Sequence, residues 1–145
     1  MNKWKKIAFT DMSLGIKNRN YYEYYLKHKK RYEGVIGFID VNDLKLINDN
    51  QGHKYGDDLM YELAQALDNF DIAFRYGGDE FVIVSSSLSD TEMKDKLEEL
   101  KEKYNISYGI CRKGQYDLWR QAIEIADKEM YEMKCKYKES LVEEK

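Results

Sequence analysis

The sequence predicts an α+β fold: a central antiparallel sheet whose elements run βαββαβ, helices mainly on one of its faces, and extra helices at both ends. Three observations lead there. A short apolar run, Val35 to Val41, ends in a carboxylate at Asp40. Two further short runs, Ile72 to Arg75 and Phe81 to Val84, flank a Gly77-Gly78 turn. Two amphipathic stretches separate these runs in the right places, and the whole matches the split βαβ, ferredoxin-like order.

The elements follow in chain order. Asn18 to Lys30 reads as a first helix, with Tyr22, Tyr25 and Leu26 on its inner face and Lys27, Lys29 and Lys30 in water. Its tyrosines, Tyr21, Tyr22, Tyr24 and Tyr25, suit a partly buried aromatic helix or a contact surface. Val35 to Val41 reads as a buried strand. Asn42 to Gly56 is polar and holds Asn48-Asp49-Asn50-Gln51-Gly52, so a turn is expected there. Asp57 and Asp58 are expected to open the next helix, where acidic residues suit the dipole. Leu59, Leu63, Leu67 and Phe70 form its apolar stripe.

The two short strands then make a hairpin around Tyr76 to Glu80. Ser89-Asp90-Thr91-Glu92 is a capping box that starts a helix carrying Met93, Leu97, Leu100 and Tyr104 inward. Ile106 to Cys111 is the fourth strand. Leu118 to about Lys136 is the last helix, facing inward with Ala122, Ala126, Met130 and Met133; its lysine-bearing end is placed to return to the sheet edge.

Composition bounds the function. The 145 residues suffice for one sizeable core, and no proline is present, so a single domain over 1–145 is expected. Hydrophobic content of 43% with 35% charged residues excludes a disordered chain. A net charge of −3 is a poor match to duplex nucleic acid, and no nucleic-acid partner is expected. Cys111 and Cys135 lack metal or disulfide spacing and suit a reducing, cytoplasmic setting. Met1 to Phe9 is basic without the apolar core of a secretory signal, and no stretch is long enough to span a membrane.

The chemistry concentrates in a few residues. A strand ends in Asp40, and a hairpin tip presents Asp79 and Glu80. In a βαββαβ sheet the first strand and the hairpin are neighbours, so these carboxylates converge. Carboxylates without histidine or cysteine suit a hard cation, Mg²⁺ or Mn²⁺, that also holds phosphates. A Gly-Gly-Asp turn or a strand-end aspartate is each more often structural when met alone; together, in this topology, they favour a metal site. His53 has no ligand partners and is expected to be structural.

Arg75-Tyr76-Gly77-Gly78-Asp79-Glu80-Phe81 resembles the signature of the GGDEF family, the diguanylate cyclases. Four more segments resemble that family in order and spacing. They are Asp11 to Arg19, with departures at Ser13 and Leu14; Asp40 to Asp57, with Asn48-Asp49, Gly52-His53 and Gly56-Asp57; Ser107 to Ile110; and Ala126-Asp127 through Met130-Tyr131 to Lys134.

The resemblance implies a palm-type nucleotidyl cyclase fold and a site. By similarity Asp40, Asp79 and the Val41 carbonyl hold two Mg²⁺, which clamp a triphosphate. Glu80 sits beside the attacking 3′-hydroxyl. Asn48 and Asp57 read guanine, whose N1–H and N2–H₂ suit a carboxylate acceptor that adenine leaves unpaired. The backbone N–H groups of Asp43 and Leu44 cradle phosphates. Lys134 and Lys138, four apart on one helix face, neutralise the β- and γ-phosphates, and Lys45 adds a supporting charge. Position 138 is usually arginine in the family, and lysine lacks its bidentate fork.

The implied reaction joins two GTP into cyclic di-GMP and two pyrophosphates. A symmetric ring needs two protomers facing each other, so a homodimer, transient or stable, is expected. The family's inhibitory R-x-x-D site falls on Asp68 and Asp71, without the arginine, so no inhibitory site is expected. The segment between Val84 and Ser107 is shorter than usual in the family, away from the metal ligands. A regulatory partner is expected, of unspecified kind. Two other functions fit the same residues: a related palm-type cyclase making another cyclic nucleotide, and a non-catalytic module that binds GTP or cyclic di-GMP.

Overall fold

The structure, a computed structural model, describes residues 2–143. The elements run α1 (Lys3–Phe9), α2 (Arg19–His28), β1 (Gly34–Val41), α3 (Leu44–Gln51), α4 (His53–Asp68), β2 (Ile72–Arg75), β3 (Glu80–Ser85), α5 (Asp90–Tyr104), β4 (Ile106–Lys113) and α6 (Trp119–Glu143). The sheet order is β2-β3-β1-β4, with every neighbouring pair antiparallel. This is the split βαβ arrangement the sequence predicts.

Central β1 is buried along its whole length, which requires cover on both faces of the sheet. The alternation of a strand sorts its side chains accordingly. Val35, Ile39 and Val41 join Leu63, Leu67, Met93 and Leu97 in one core beneath α4 and α5. Ile36 and Phe38 join Phe74, Tyr22, Tyr25, Trp119, Ala126 and Met130 in a second core beneath α2 and α6. The expectation of helices mainly on one face is therefore corrected. The tyrosine-rich first helix and the apolar stripe of the last helix close the second face.

Three further differences concern local structure. The expected turn over Asn42 to Gly56 contains α3, a helix whose Leu44 packs onto the first core. Its Asn and Asp residues are weak helix formers in isolation, and packing against the core supplies what propensity lacks. The next helix begins at His53, four residues before Asp57, because Gly52 at φ 91° lets the chain turn straight from α3 into α4. Residues Lys3–Phe9, read only for the absence of a signal, form α1. The capping box at Ser89 and Glu92 is formed as expected, and the predicted strands and their hairpin stand within one or two residues of their expected bounds.

Gly109 brings α6 onto β4. A Cβ there would lie 2.0 Å from the Ala126 carbonyl oxygen and 2.6 Å from the Met130 nitrogen. Only glycine allows that approach, and it fixes the level at which the end of α6 passes over β1.

Candidate active site

The same alternation that splits the core aims the functional side chains. Asp40 follows Ile36 and Phe38 on the α6 face of β1. Glu80 precedes Val82 and Val84 on that face of β3 and pairs in register with Asp40. Asp79 lies one residue before, its carbonyl accepting from the Val41 N–H at 3.0 Å. The three carboxylates predicted from sequence thus share one end of the sheet.

Their electrostatics are adverse without a cation. Asp40 is 4% exposed. Burial raises its proton affinity; the Lys134 hydrogen bond opposes this, and the Asp79 charge adds to it, leaving the carboxyl above its ordinary range. Glu80 is raised by burial and then by the charges of Asp40, Asp79 and Asp127. Lys134 reaches from α6 to donate to Asp40 Oδ2 at 2.6 Å. Burial lowers its proton affinity, and the Asp40 bond with the Asp40, Asp79 and Glu80 charges more than restores it.

Asp40 Oδ1 is buried with no hydrogen-bond partner. A buried carboxylate oxygen left unpaired is costly, and a divalent cation would satisfy it. No group of three or more His, Cys, Asp or Glu of metal-holding geometry occurs among the described residues. The available donors are therefore Asp40, Asp79 and a backbone carbonyl, with Val41 at the adjoining strand end. These are hard oxygen donors, and they fit Mg²⁺ or Mn²⁺ with substrate oxygens completing the shell.

A cavity of about 450 Å³ lies between α3, α4 and the loop after α1. It is lined by Ser13, Leu14, Leu44, Asn48, Gly56, Asp57, Met60 and Arg75. Asn48 on α3 and Asp57 on α4 both line it. Asn48 Oδ1 is buried and also lacks a partner. Gly56 makes room for it: a Cβ at that position would lie 1.7 Å from Asn48 Oδ1.

The turn from β1 into α3 carries Asp43 and Leu44, the residues expected to cradle phosphate. Asp43 caps α3 from the left-handed region, at φ 56° and ψ 32°, and its side chain makes no capping bond. Leu44 is the first helical residue. The leading N–H groups of a helix have no acceptor within it. Lys45 and Lys138 are exposed; no contact joins either to the carboxylate cluster among the described residues. Lys134, expected on phosphates, holds Asp40 in this structure.

Several site-shaping residues carry no role in the sequence reading. Arg75 Nη2 donates to the Gly78 carbonyl at 2.7 Å, and its Nη1 to Asp11 Oδ2 at 3.0 Å. It ties the hairpin tip to the loop that walls the cavity. Asp11 in turn accepts from the Ser13 and Leu14 N–H groups. Asp127 faces Glu80 from α6. Asn42, Asn105, Ser107 and Tyr137 form a polar chain behind the cradle. Most of these residues lie inside the motif segments, but pairings such as Asp11 with Arg75 and Asn42 with Asn105 and Ser107 join positions more than 60 apart, which local pattern does not reveal.

Comparison with known proteins bears on the family and the fold. The sequence profile described as "Diguanylate cyclase, GGDEF domain" matches residues 8–140. The diguanylate cyclase DosC of Escherichia coli is 34% identical over 112 residues, covering 64% of this chain and 24% of DosC. The diguanylate cyclase DgcP of the same organism is 29% identical over 122 residues, covering 77% of this chain and 35% of DgcP. The chain thus spans about a quarter to a third of the length of these relatives. The coiled-coil and GGDEF portion of DgcB from Caulobacter crescentus, solved with cyclic di-GMP, superposes with a TM-score of 0.79 at 20% identity, covering 89% of this chain and 82% of that one. No helix among the described residues is long and apolar enough to cross a membrane. From the profile match and the shared fold, the chain belongs to the GGDEF, or diguanylate cyclase, domain family.

Proposed function

We propose that this chain is a diguanylate cyclase: it condenses two GTP into cyclic di-GMP and two pyrophosphates. The observation that carries the reading is the convergence of Asp40, Asp79 and Glu80 at one sheet end, in a chain whose Asn48 and Asp57 line one cavity. A domain that only bound nucleotide would gain nothing from a buried, unpaired carboxylate oxygen at Asp40.

Asp57 accepts from guanine N1–H and N2–H₂, and Asn48 pairs with the same edge; adenine would leave both polar groups unpaired, a strong basis for rejection. The Asp43 and Leu44 N–H groups hold phosphate oxygens at the start of α3. Lys45, Lys134 and Lys138 supply positive charge around the triphosphate, and Lys134 also steadies Asp40. Two divalent cations held by Asp40, Asp79 and the Val41 carbonyl supply charge neutralisation and a lowered pKa for the 3′-hydroxyl when bound.

In each half-reaction the 3′-oxygen of one GTP attacks the α-phosphorus of the other. A new phosphodiester bond forms, and the bond to pyrophosphate breaks. Glu80 aligns the hydroxyl and receives its proton, a task its raised proton affinity suits. One GTP per protomer closes the ring only when two protomers meet across a two-fold axis. The supply of GTP places the reaction in the cytoplasm, and a regulatory partner controls the encounter.

The deciding experiment incubates purified protein with Mg²⁺ and all four nucleoside triphosphates and resolves the products by mass spectrometry, beside Asp79→Ala. Cyclic di-GMP from the wild type alone is the expected result. A different cyclic product would overturn the roles given to Asn48 and Asp57. No product at high protein concentration, with or without added relatives' activators, would overturn the cyclase reading itself.

A further inference from the structure

Aspartate at the N-cap of a helix ordinarily turns its carboxylate onto the N–H groups of the first turn. Asp43 does not: it caps α3 without a side-chain bond. Its Oδ2 instead accepts from the Tyr137 hydroxyl on α6 at 2.7 Å.

The direction of that bond is fixed by the groups behind it. Ser107 Oγ donates to Asn42 Oδ1 at 2.9 Å. Asn42 Nδ2 donates to Asn105 Oδ1 at 3.2 Å, and Asn105 Nδ2 to the Tyr137 hydroxyl at 2.9 Å. The hydroxyl has one proton, and with its oxygen already accepting, that proton goes to Asp43. Every bond in the chain points the same way, from β4 through α6 to the carboxylate, and aligned bonds polarise one another. Asn42 and Ser107 are fully buried, and the Asn42 N–H also donates to the Asn105 carbonyl at 3.0 Å.

The consequence lies in what the carboxylate would otherwise occupy. Of the N–H groups assigned above to phosphate, that of Leu44 opens the first turn of α3 and that of Asp43 lies at its cap. A carboxylate folded onto them would compete with the substrate and add a negative charge to the cradle. Holding it on Tyr137 leaves the amides open and also supports Asp43 in the left-handed region, where a non-glycine residue is strained. Asp40, three residues before Asp43, has its Oδ1 buried and unpaired, so the candidate cation site adjoins the cradle along the chain.

We infer that Tyr137 is a positioning residue: it withdraws the Asp43 carboxylate from the start of α3 and so keeps the phosphate cradle vacant for the nucleotide. The inference rests on the functional reading above, and the test separates the two. Affinity for the non-cleavable analogue α,β-methylene-GTP is measured with Mg²⁺ by calorimetry for wild type, Tyr137→Phe, Asp43→Gly and the double variant, with thermal melts and steady-state kinetics on GTP. Phenylalanine keeps the ring and removes the proton. Tyr137→Phe is expected to weaken the analogue roughly fivefold, the scale of one N-cap bond, and to raise KM similarly with kcat little changed. In the Asp43→Gly background the same change is expected to cost nothing, because no carboxylate remains to fold back; such a cycle isolates the coupling. Unchanged binding in Tyr137→Phe, or the same loss in both backgrounds, would overturn the inference and make Tyr137 a packing residue. Failure of the wild type to bind the analogue would overturn the functional reading, and the inference with it.

Discussion

Asp40 and Glu80 sit where folding would prefer neutral side chains. Both are held above the ordinary carboxylate range, first by burial and then by neighbouring acids. For Glu80 the sign follows directly. The folded state binds its proton more tightly than the unfolded state does, so stability falls as pH rises from the ordinary glutamate range through the raised value. Ionisation of Glu80 therefore weakens the fold. Glu80→Gln should melt at a higher temperature than the wild type at pH 7, with the difference shrinking as pH drops toward 4.5, while cyclic di-GMP synthesis is lost. Melting curves between pH 4.5 and 8 test this. An equal or lower melting temperature at pH 7 would show that Glu80 is not opposed by its neighbours. The identities of Asp40, Asp79 and Glu80 were legible in the sequence, because a strand-end carboxylate and a hairpin tip are local patterns. The attachment of Lys134 to Asp40 was not, because 94 residues separate them and the family resemblance placed Lys134 on the phosphates.

At the scale of elements, the site depends on where α6 lies. Gly109 on β4 sets that position, with no room for a methyl group against Ala126 and Met130. Gly109→Ala must lift α6 from the sheet. Overpacking of this kind costs about 1–3 kcal/mol, and melting would fall by about 2–4 °C for each kcal/mol lost. Turnover should fall further than stability does, since the movement withdraws Lys134 from Asp40 and Tyr137 from Asp43. Parallel measurements of melting and specific activity, compared at equal folded fraction, check this; retained activity per folded molecule would separate α6 docking from function. The β-strands, α5 and its capping box were legible because their signals are local. Helix α3 was not: Asn48-Asp49-Asn50 favours turns, and burial of Leu44 against the first core overrides that preference.

For the whole molecule, the proposed chemistry needs two copies. Turnover should therefore depend on encounter. At protein concentrations below dimer dissociation, specific activity should rise in proportion to concentration, then level off once the protein is dimeric. Initial rates over a hundredfold dilution, read beside sedimentation velocity, provide the check. Constant specific activity in a solution of monomers would exclude a two-protomer reaction. The molecule also has its two cores on opposite sheet faces, which permits this arrangement: β1 is buried on both sides, yet its C-terminal end emerges between α3 and α6 with Asp40 at the edge.

The sequence by itself determined the βαββαβ order, the split βαβ sheet, the family and the carboxylates that converge at one sheet end. Those features are written in short-range patterns: alternation, caps, turn residues and spaced motifs. Only the tertiary structure decided which face each helix covers, that α3 is helical, that Lys134 holds Asp40, and that Tyr137 holds Asp43. The physical reason is common to all four. Each is settled by contacts between residues far apart in the chain, whose energies exceed local preference and leave no mark on the local pattern.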